Sequence, residues 1–211
     1  MAYIIHGAPG SGSGVVEAVC AELGVDYQTR DLDARNDEHR ESSYGALNPH
    51  RKMPTLVLPD GEILTESAAI VLTLDERHRD AEILPPPGSK ARAQALRWLV
   101  FCVSELYPLV ELMDYPQRFT DADRIDTFRA RTKDLWKTRW QVLERHVAGS
   151  PYLLADGFCA TDLFISHMSR WDLPTNWRLA RLPRIAALAD KVSGRPRLAS
   201  VYARHFPARG T

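Results

Sequence analysis

The stretch that decides the reading is Asn48-Pro49-His50-Arg51-Lys52-Met53-Pro54-Thr55-Leu56-Val57-Leu58-Pro59-Asp60-Gly61-Glu62-Ile63-Leu64-Thr65-Glu66-Ser67-Ala68-Ala69-Ile70. Two short runs, 55–58 and 62–64, flank the turn residues Pro59-Asp60-Gly61 and predict a β-hairpin. Pro54 opens the first strand, a place where a residue without an N–H costs the ladder nothing. A cis Met53–Pro54 bond would turn the Met53 backbone outward, free to pair with an extended, peptide-like ligand. The trans form is the ordinary state, since only ~5–6% of X–Pro bonds in folded proteins are cis. Thr65-Glu66-Ser67 then ends the hairpin and starts a helix over 67–77. That helix is apolar nearly all round, at Ala68, Ala69, Ile70, Val71, Leu72 and Leu74, so it is expected to be buried on several sides. Ser67 reads as its N-cap, and a helix N-terminus favours a carboxylate.

Working outward toward the N-terminus, residues 3–6 form a compact apolar strand. Residues 14–23 carry a helical stripe of Val15, Val16, Val19, Cys20 and Leu23, with Gly24 where a helix-ending glycine belongs. Residues 27–31 read as a second strand, and the polar stretch 33–44 as an irregular helix that ends before Asn48-Pro49. The order β-α-β-α-β-β-α predicts one α/β unit over residues 1–80. A stiff linker, 81–88, contains Ile83-Leu84-Pro85-Pro86-Pro87-Gly88. Across 89–211 the strand signals vanish. Helical stripes run from Ala91 to Leu106, from Leu135 to Val147 (in a segment starting near Asp121 or Asp123), from Asp162 to Trp171, and from Ile185 to Val192. The last has Pro183 at its start and Gly194 beyond its end. Such amphipathic helices must pack on one another, so an all-helical bundle is expected.

Between the first strand and the first helix lies Gly7-Ala8-Pro9-Gly10-Ser11-Gly12-Ser13-Gly14. Glycines let a backbone approach a ligand closely, and a helix start offers free N–H groups to an anion. A phosphate loop needs Lys after its second Gly, yet Ser13 follows Gly12. A dinucleotide fingerprint counted from Gly10 and Gly12 needs Gly where Val15 stands. Taken alone, the loop is a Ser-capped turn.

Lys plus Arg equals Asp plus Glu at 27 each, and the signs are intermixed, so no net field favours nucleic acid or an anionic membrane. Small molecules or another protein are the expected partners. No apolar stretch approaches the ~18 residues of a membrane span. Residues 1–7 lack a basic flank and a long apolar core, and read as a strand rather than a signal peptide. Cys20, Cys102 and Cys159 are odd in number and without metal-ligand spacing, which suits buried thiols in a reduced, cytoplasmic setting. No metal is expected.

In this order and spacing, the loop, the Asn48-Pro49…Pro54 approach and Glu66-Ser67-Ala68-Ala69-Ile70 resemble the cytosolic glutathione transferases, over essentially the whole chain. The resemblance implies a thioredoxin-like domain followed by a helical one, usually in a homodimer. It implies glutathione as co-substrate, with no further cofactor, and a small electrophile as its partner. Glu66 and Ser67 would hold the γ-glutamyl group, Met53 would pair with the cysteinyl unit across a cis Pro54, and Lys52 or Arg51 would lie near the glycine carboxylate. Thiol activation would fall to Ser11, with Ser13 as runner-up, because the Tyr or Cys of several subfamilies is missing from the loop. This looks like a serine-type or divergent bacterial-type member. Phe101, Glu105 and Tyr107 would line the electrophile side, with Trp171 a further candidate. Members of this kind also include isomerases, peroxidases and dehalogenases on the same glutathione site, and a non-catalytic binding or regulatory protein is the alternative. One departure stands in the helical part: the cap before the buried helix at Asp162 is Cys159 rather than Ser or Thr.

Overall fold

In the computed structural model, residues 2–147, 151–171 and 173–207 are described. The chain opens with β1 (Tyr3–Gly7), α1 (Ser13–Leu23) and β2 (Tyr27–Asp31). Two 3₁₀ turns then lead to α2 (Ser42–Leu47), followed by β3 (Thr55–Val57), β4 (Ile63–Thr65) and α3 (Ser67–Arg77). The strands form one sheet in the order β2-β1-β3-β4. β1 runs parallel to β2 and antiparallel to β3, with Ile5 facing Leu56, and β3 pairs antiparallel with β4. Gly24 ends α1 in the left-handed conformation (φ 68), which a residue without Cβ reaches at no steric cost.

The second half consists of α4 (Lys90–Phe101), α5 (Tyr107–Asp114), α6 (Ile125–Glu144), α7 (Ala160–Met168), α8 (Thr175–Arg181), α9 (Pro183–Ser193) and α10 (Ala199–His205). Ser89 caps α4 by accepting the Arg92 N–H at 3.0 Å. The stripe expected as one helix from Ala91 to Leu106 is instead α4 joined to α5 through a π-helical turn at Cys102–Leu106. Pro108, near the start of α5, has no N–H to give the ladder. α8 and α10 carry too few apolar positions for a helical period to declare itself, so neither is marked in the sequence.

α1 is the joint of the molecule. Ser13 through Cys20 are all buried, because the helix packs against β1 and α3 on one side and α7 and α10 on the other. α7 is likewise buried along its whole length. Its cap is Cys159, in a reciprocal capping box: the Cys159 N–H donates to Asp162 Oδ2 at 2.8 Å, and the Asp162 N–H turns to the Cys159 thiol. The other carboxylate oxygen, Oδ1, accepts the Leu153 N–H at 2.8 Å. The two halves are also tied through Asp75 of α3, which is 1% exposed. Its Oδ2 accepts from Arg79 at 2.9 Å and Arg92 of α4 at 2.8 Å, and its Oδ1 accepts the Leu84 N–H at 3.2 Å.

Candidate active site

Between the end of the sheet and α5 lies a cavity of about 1320 Å³. One wall is the glycine loop. Gly10 takes φ 76, and the Ser11 N–H closes the turn on the Ala8 carbonyl at 3.0 Å. Ser11 Oγ accepts from the N–H groups of Ala8 (3.2 Å) and Ser13 (3.3 Å) and lies 2.8 Å from Ser13 Oγ. Gly10, Ser11 and Gly12 line the cavity, whereas Ser13 does not. Ser13 is 2% exposed and turned back to Ala8, accepting its N–H and donating to its carbonyl, each at 3.2 Å. Ser13 does not cap α1 as in a Ser-capped turn: Gly12 holds the cap position without a side-chain bond, and the Ser13 hydroxyl fastens the loop to the end of β1.

The second wall is the segment before β3. The Met53–Pro54 bond is cis, and both residues line the cavity together with Arg51 and Lys52. Asn48 and Tyr44, which sequence reasoning gave no role, hold this segment. Asn48 Nδ2 and the Tyr44 hydroxyl donate to the Lys52 carbonyl at 2.6 and 2.8 Å, and both reach Thr55 Oγ1. A buried Asn just before a Pro-rich turn is the signal that could have pointed to it. Lys52 Nζ donates to Glu111 Oε2 of α5 at 2.7 Å, and this bond holds the Glu111 carboxyl below its ordinary range, with help from Arg118. Arg51 donates to the Arg40 carbonyl at 2.6 Å, toward α2.

Glu66 and Ser67 line the third side. Ser67 is not the N-cap the sequence suggested. It is the first helical residue, and the cap position is Glu66, at φ 63 and ψ 104 without a side-chain cap bond. A non-glycine residue held at such a φ costs on the order of 1–3 kcal/mol and persists where its surroundings fix it, commonly at ligand sites.

Of the three residues expected on the electrophile side, Tyr107 reaches the cavity and the other two do not. Phe101 packs edge-on against Trp98 at 5.2 Å, and Glu105 pairs with Arg139 of α6 at 2.9 Å. Phe101 and Glu105 are four positions apart and share a face, whereas Tyr107, two positions past Glu105, lies on the other side of the helix. The Tyr107 hydroxyl is buried beside the loop. A Cβ on Gly12 would come within 2.7 Å of it, and it has no hydrogen-bond partner among the described residues. Burial raises its pKa, opposed by the Ser67 hydroxyl nearby. Trp171 also lines the cavity, its ring edge-on to Tyr107 at 5.4 Å.

No cysteine competes for the chemistry. All three are buried, and burial pushes Cys20 and Cys159 up to about 12 and raises Cys102 as well.

Behind the loop, His167 of α7 donates Nε2–H to the Ser11 carbonyl at 2.9 Å. Burial, then the neighbouring His205, lowers its pKa to about 3. The unfolded chain binds this proton near pH 6.5 and the folded chain does not, so stability present above about pH 6.5 is lost as pH falls toward about 3. Urea unfolding at about pH 7, 6 and 5 should reveal a loss of up to about 1.4 kcal/mol per pH unit from this group. His167→Gln, which can still donate to the Ser11 carbonyl, should flatten that slope. An unchanged slope would show that other groups set the acid limit.

Residues 13–77 match the family described as Glutathione S-transferase, N-terminal domain. The uncharacterized GST-like protein YncG of Escherichia coli K12 is 29% identical over 95% of this chain and 97% of its own. The glutathione S-transferase GstA of Escherichia coli O157:H7 is 25% identical over 89% of this chain and 91% of its own. Among solved structures, a glutathione transferase homolog from Sulfitobacter, with bound glutathione, superimposes with a TM-score of 0.87 at 21% identity, covering 95% of this chain and 96% of that one. A sheet half with thioredoxin-like architecture and a helical half are thus shared, and the likeness to relatives runs nearly end to end. Residues 13–77 carry the match to the glutathione S-transferase N-terminal domain, and the chain is similar to glutathione transferases over nearly its whole length.

Proposed function

We propose that this protein activates the thiol of glutathione for attack on a small electrophile. The observation that carries the reading is the convergence of Ser11, Met53–Pro54, Glu66–Ser67 and Tyr107 on one cavity, beside the N-terminus of α1. In support, the Sulfitobacter relative holds glutathione in the same fold. Glu66 and Ser67 take the γ-glutamyl end, Met53 pairs its backbone with the cysteinyl unit, and Lys52 serves the glycine carboxylate. Lys52 already holds a carboxylate, that of Glu111, so glutathione exchanges one carboxylate for another there. Arg51 is turned to the Arg40 carbonyl and has the weaker claim.

A free thiol ionises near pKa ~8.5, so only a few per cent is nucleophilic at neutral pH. Ser11 Oγ already accepts two N–H groups, which polarises its own O–H. That proton points to Ser13 Oγ or, with glutathione bound, to the sulfur. Ser13 donates to the Ala8 carbonyl or to Ser11 Oγ, so one small rotation passes between the two arrangements. The amides at the start of α1 add to the stabilisation of the thiolate. Beside the same loop the Tyr107 hydroxyl, without a hydrogen-bond partner among the described residues and kept protonated by burial, can donate to an electrophile or its leaving group.

Calorimetry with glutathione, followed by a thiol-conjugation assay, tests the reading. The wild type should bind, and Ser67→Ala should weaken binding several-fold with little change in kcat. Unchanged affinity in that variant would move the γ-glutamyl site elsewhere. Binding with no fall in the pKa of the bound thiol would make this a glutathione-binding protein rather than an enzyme.

A further inference from the structure

The backbone that carries Ser11 is gripped by side chains of the helical half. The Gly10 N–H donates to His205 Nδ1 of α10 at 3.0 Å, and the Gly10 carbonyl accepts Trp171 Nε1–H at 2.8 Å. The Ser11 carbonyl accepts His167 Nε2–H at 2.9 Å. Both polar groups of Gly10 and the carbonyl of Ser11 thus end on side chains 156 to 195 positions away in the chain.

Hydrogen-bond logic fixes the state of His205. Since Nδ1 accepts, the ring proton sits on Nε2 and is donated to Glu17 Oε2 at 2.9 Å. Arg204 Nη1 donates to the same oxygen at 3.0 Å, and its other nitrogen reaches Asp31. The His205 and Glu17 side chains are 0% and 6% exposed, so this relay lies in the joint between the halves. Gly14 makes room for it: a Cβ there would strike the rings of both His167 and His205. The three gripping side chains also brace one another, with ring centroids of His167 and His205 at 5.4 Å and of His167 and Trp171 at 5.2 Å.

We propose that His205, with His167 and Trp171, is a positioning residue for the thiol chemistry, fixing the Gly10–Ser11 backbone so that the Ser11 hydroxyl and the adjoining amides meet the glutathione sulfur. The proposal rests on the glutathione reading above. The contacts act on two loop residues rather than on a strand or a helix, and those residues line the cavity. A reacting group misplaced by ~1 Å can cost ~10²-fold in rate, so a flexible glycine turn needs such restraint from outside.

The test titrates the thiol of bound glutathione by its ultraviolet thiolate absorbance in the wild type, Ser11→Ala, His205→Leu and His205→Asn. In His205→Leu the bound thiol should become less acidic by about one pKa unit, with kcat at neutral pH about tenfold lower. Glutathione affinity should stay within about twofold of the wild type. His205→Asn, whose Oδ1 can accept the Gly10 N–H in place of Nδ1, should restore most of both losses. A wild-type thiol pKa in folded His205→Leu overturns the proposal, and so does His205→Asn no better than His205→Leu. If His205→Leu does not fold, Trp171→Phe, which removes only one donor to the Gly10 carbonyl, should shift the thiol in the same direction; no shift there overturns it too. If His205→Leu moves the thiol and Ser11→Ala does not, the clamp stands, acting through the loop amides, and the serine assignment falls. If the wild type binds no glutathione, or leaves its thiol unperturbed, the underlying reading fails and this proposal with it.

Discussion

Asp75→Ala is expected to lower the unfolding free energy by about 3–5 kcal/mol, the usual cost of removing one partner of a buried ion pair. Arg92 is the reason. Its guanidinium is 13% exposed and would keep its charge while losing its carboxylate, with only the Pro85 carbonyl left to it at 2.9 Å among the described residues. The Leu84 N–H would lose its acceptor as well, a loss of about 1–3 kcal/mol for a buried donor left unmade. Arg79 is 41% exposed and should contribute little, since solvent screens such pairs to about 0–1 kcal/mol. Urea unfolding measures the effect. Removing both charges in Asp75→Leu with Arg92→Met should recover much of the loss, because the penalty lies in the orphaned charge. A drop under about 1 kcal/mol in Asp75→Ala would show that water reaches Arg92 and that the junction is looser than its geometry.

Ser11→Ala is expected to raise the pKa of bound glutathione by about one to two units and to cut kcat at neutral pH by about ten- to a hundredfold. The upper figure corresponds to ~2.7 kcal/mol, within the ~1.5–3 kcal/mol of one charge-assisted hydrogen bond. The amides of the α1 start remain in place, which is why the loss is not larger. Affinity for glutathione should hardly change, and the rate should recover at high pH, where the thiol ionises unaided. Ser13→Ala should behave differently. That hydroxyl is buried and fastened to Ala8, so its loss should lower stability, and turnover only as far as the loop shifts. A wild-type pH–rate profile in Ser11→Ala would remove the serine from the mechanism.

Much of this was legible in the chain itself. The hairpin at 55–65, a helix at 67–77 and the left-handed stop at Gly24 follow from local chemistry, and the structure has each of them. The helix is buried along one stripe, Ser67, Ile70, Val71, Leu74 and Asp75, and not on several sides, since Ala69 is exposed. The cavity residues Met53, Pro54, Glu66 and Ser67 lie within one short stretch whose turn signals fix their geometry. Less was readable on the helical side, where Phe101 and Glu105 share one face and Tyr107, two positions on, takes the opposite one, while the π turn at Cys102–Leu106 breaks the single helix that the pattern suggested. Pro108 was the available warning. A Ser before a helix ordinarily caps it, yet the Ser13 hydroxyl does not. What diverts it is the Ala8 backbone, a partner set by the loop's fold. Least legible were His167 and His205. A histidine in a short helix near the end of a chain carries no local mark of a glycine 195 positions earlier.

The Glu17–His205–Gly10 relay has a consequence for building hybrids of this protein. The natural place to cut and rejoin is the proline-rich segment near 85–88, which separates the sheet elements from the helices. Such a graft would bring in a foreign α10 facing the resident loop. Glu17 would then meet a side chain that need not donate a hydrogen bond to it, and Asp31 would lose Arg204. The cut respects the visible boundary yet separates residues that work as one unit. In a recombination library, positions 10, 14, 17, 31, 167, 204 and 205 should be inherited as a single block, however far apart they stand in the chain.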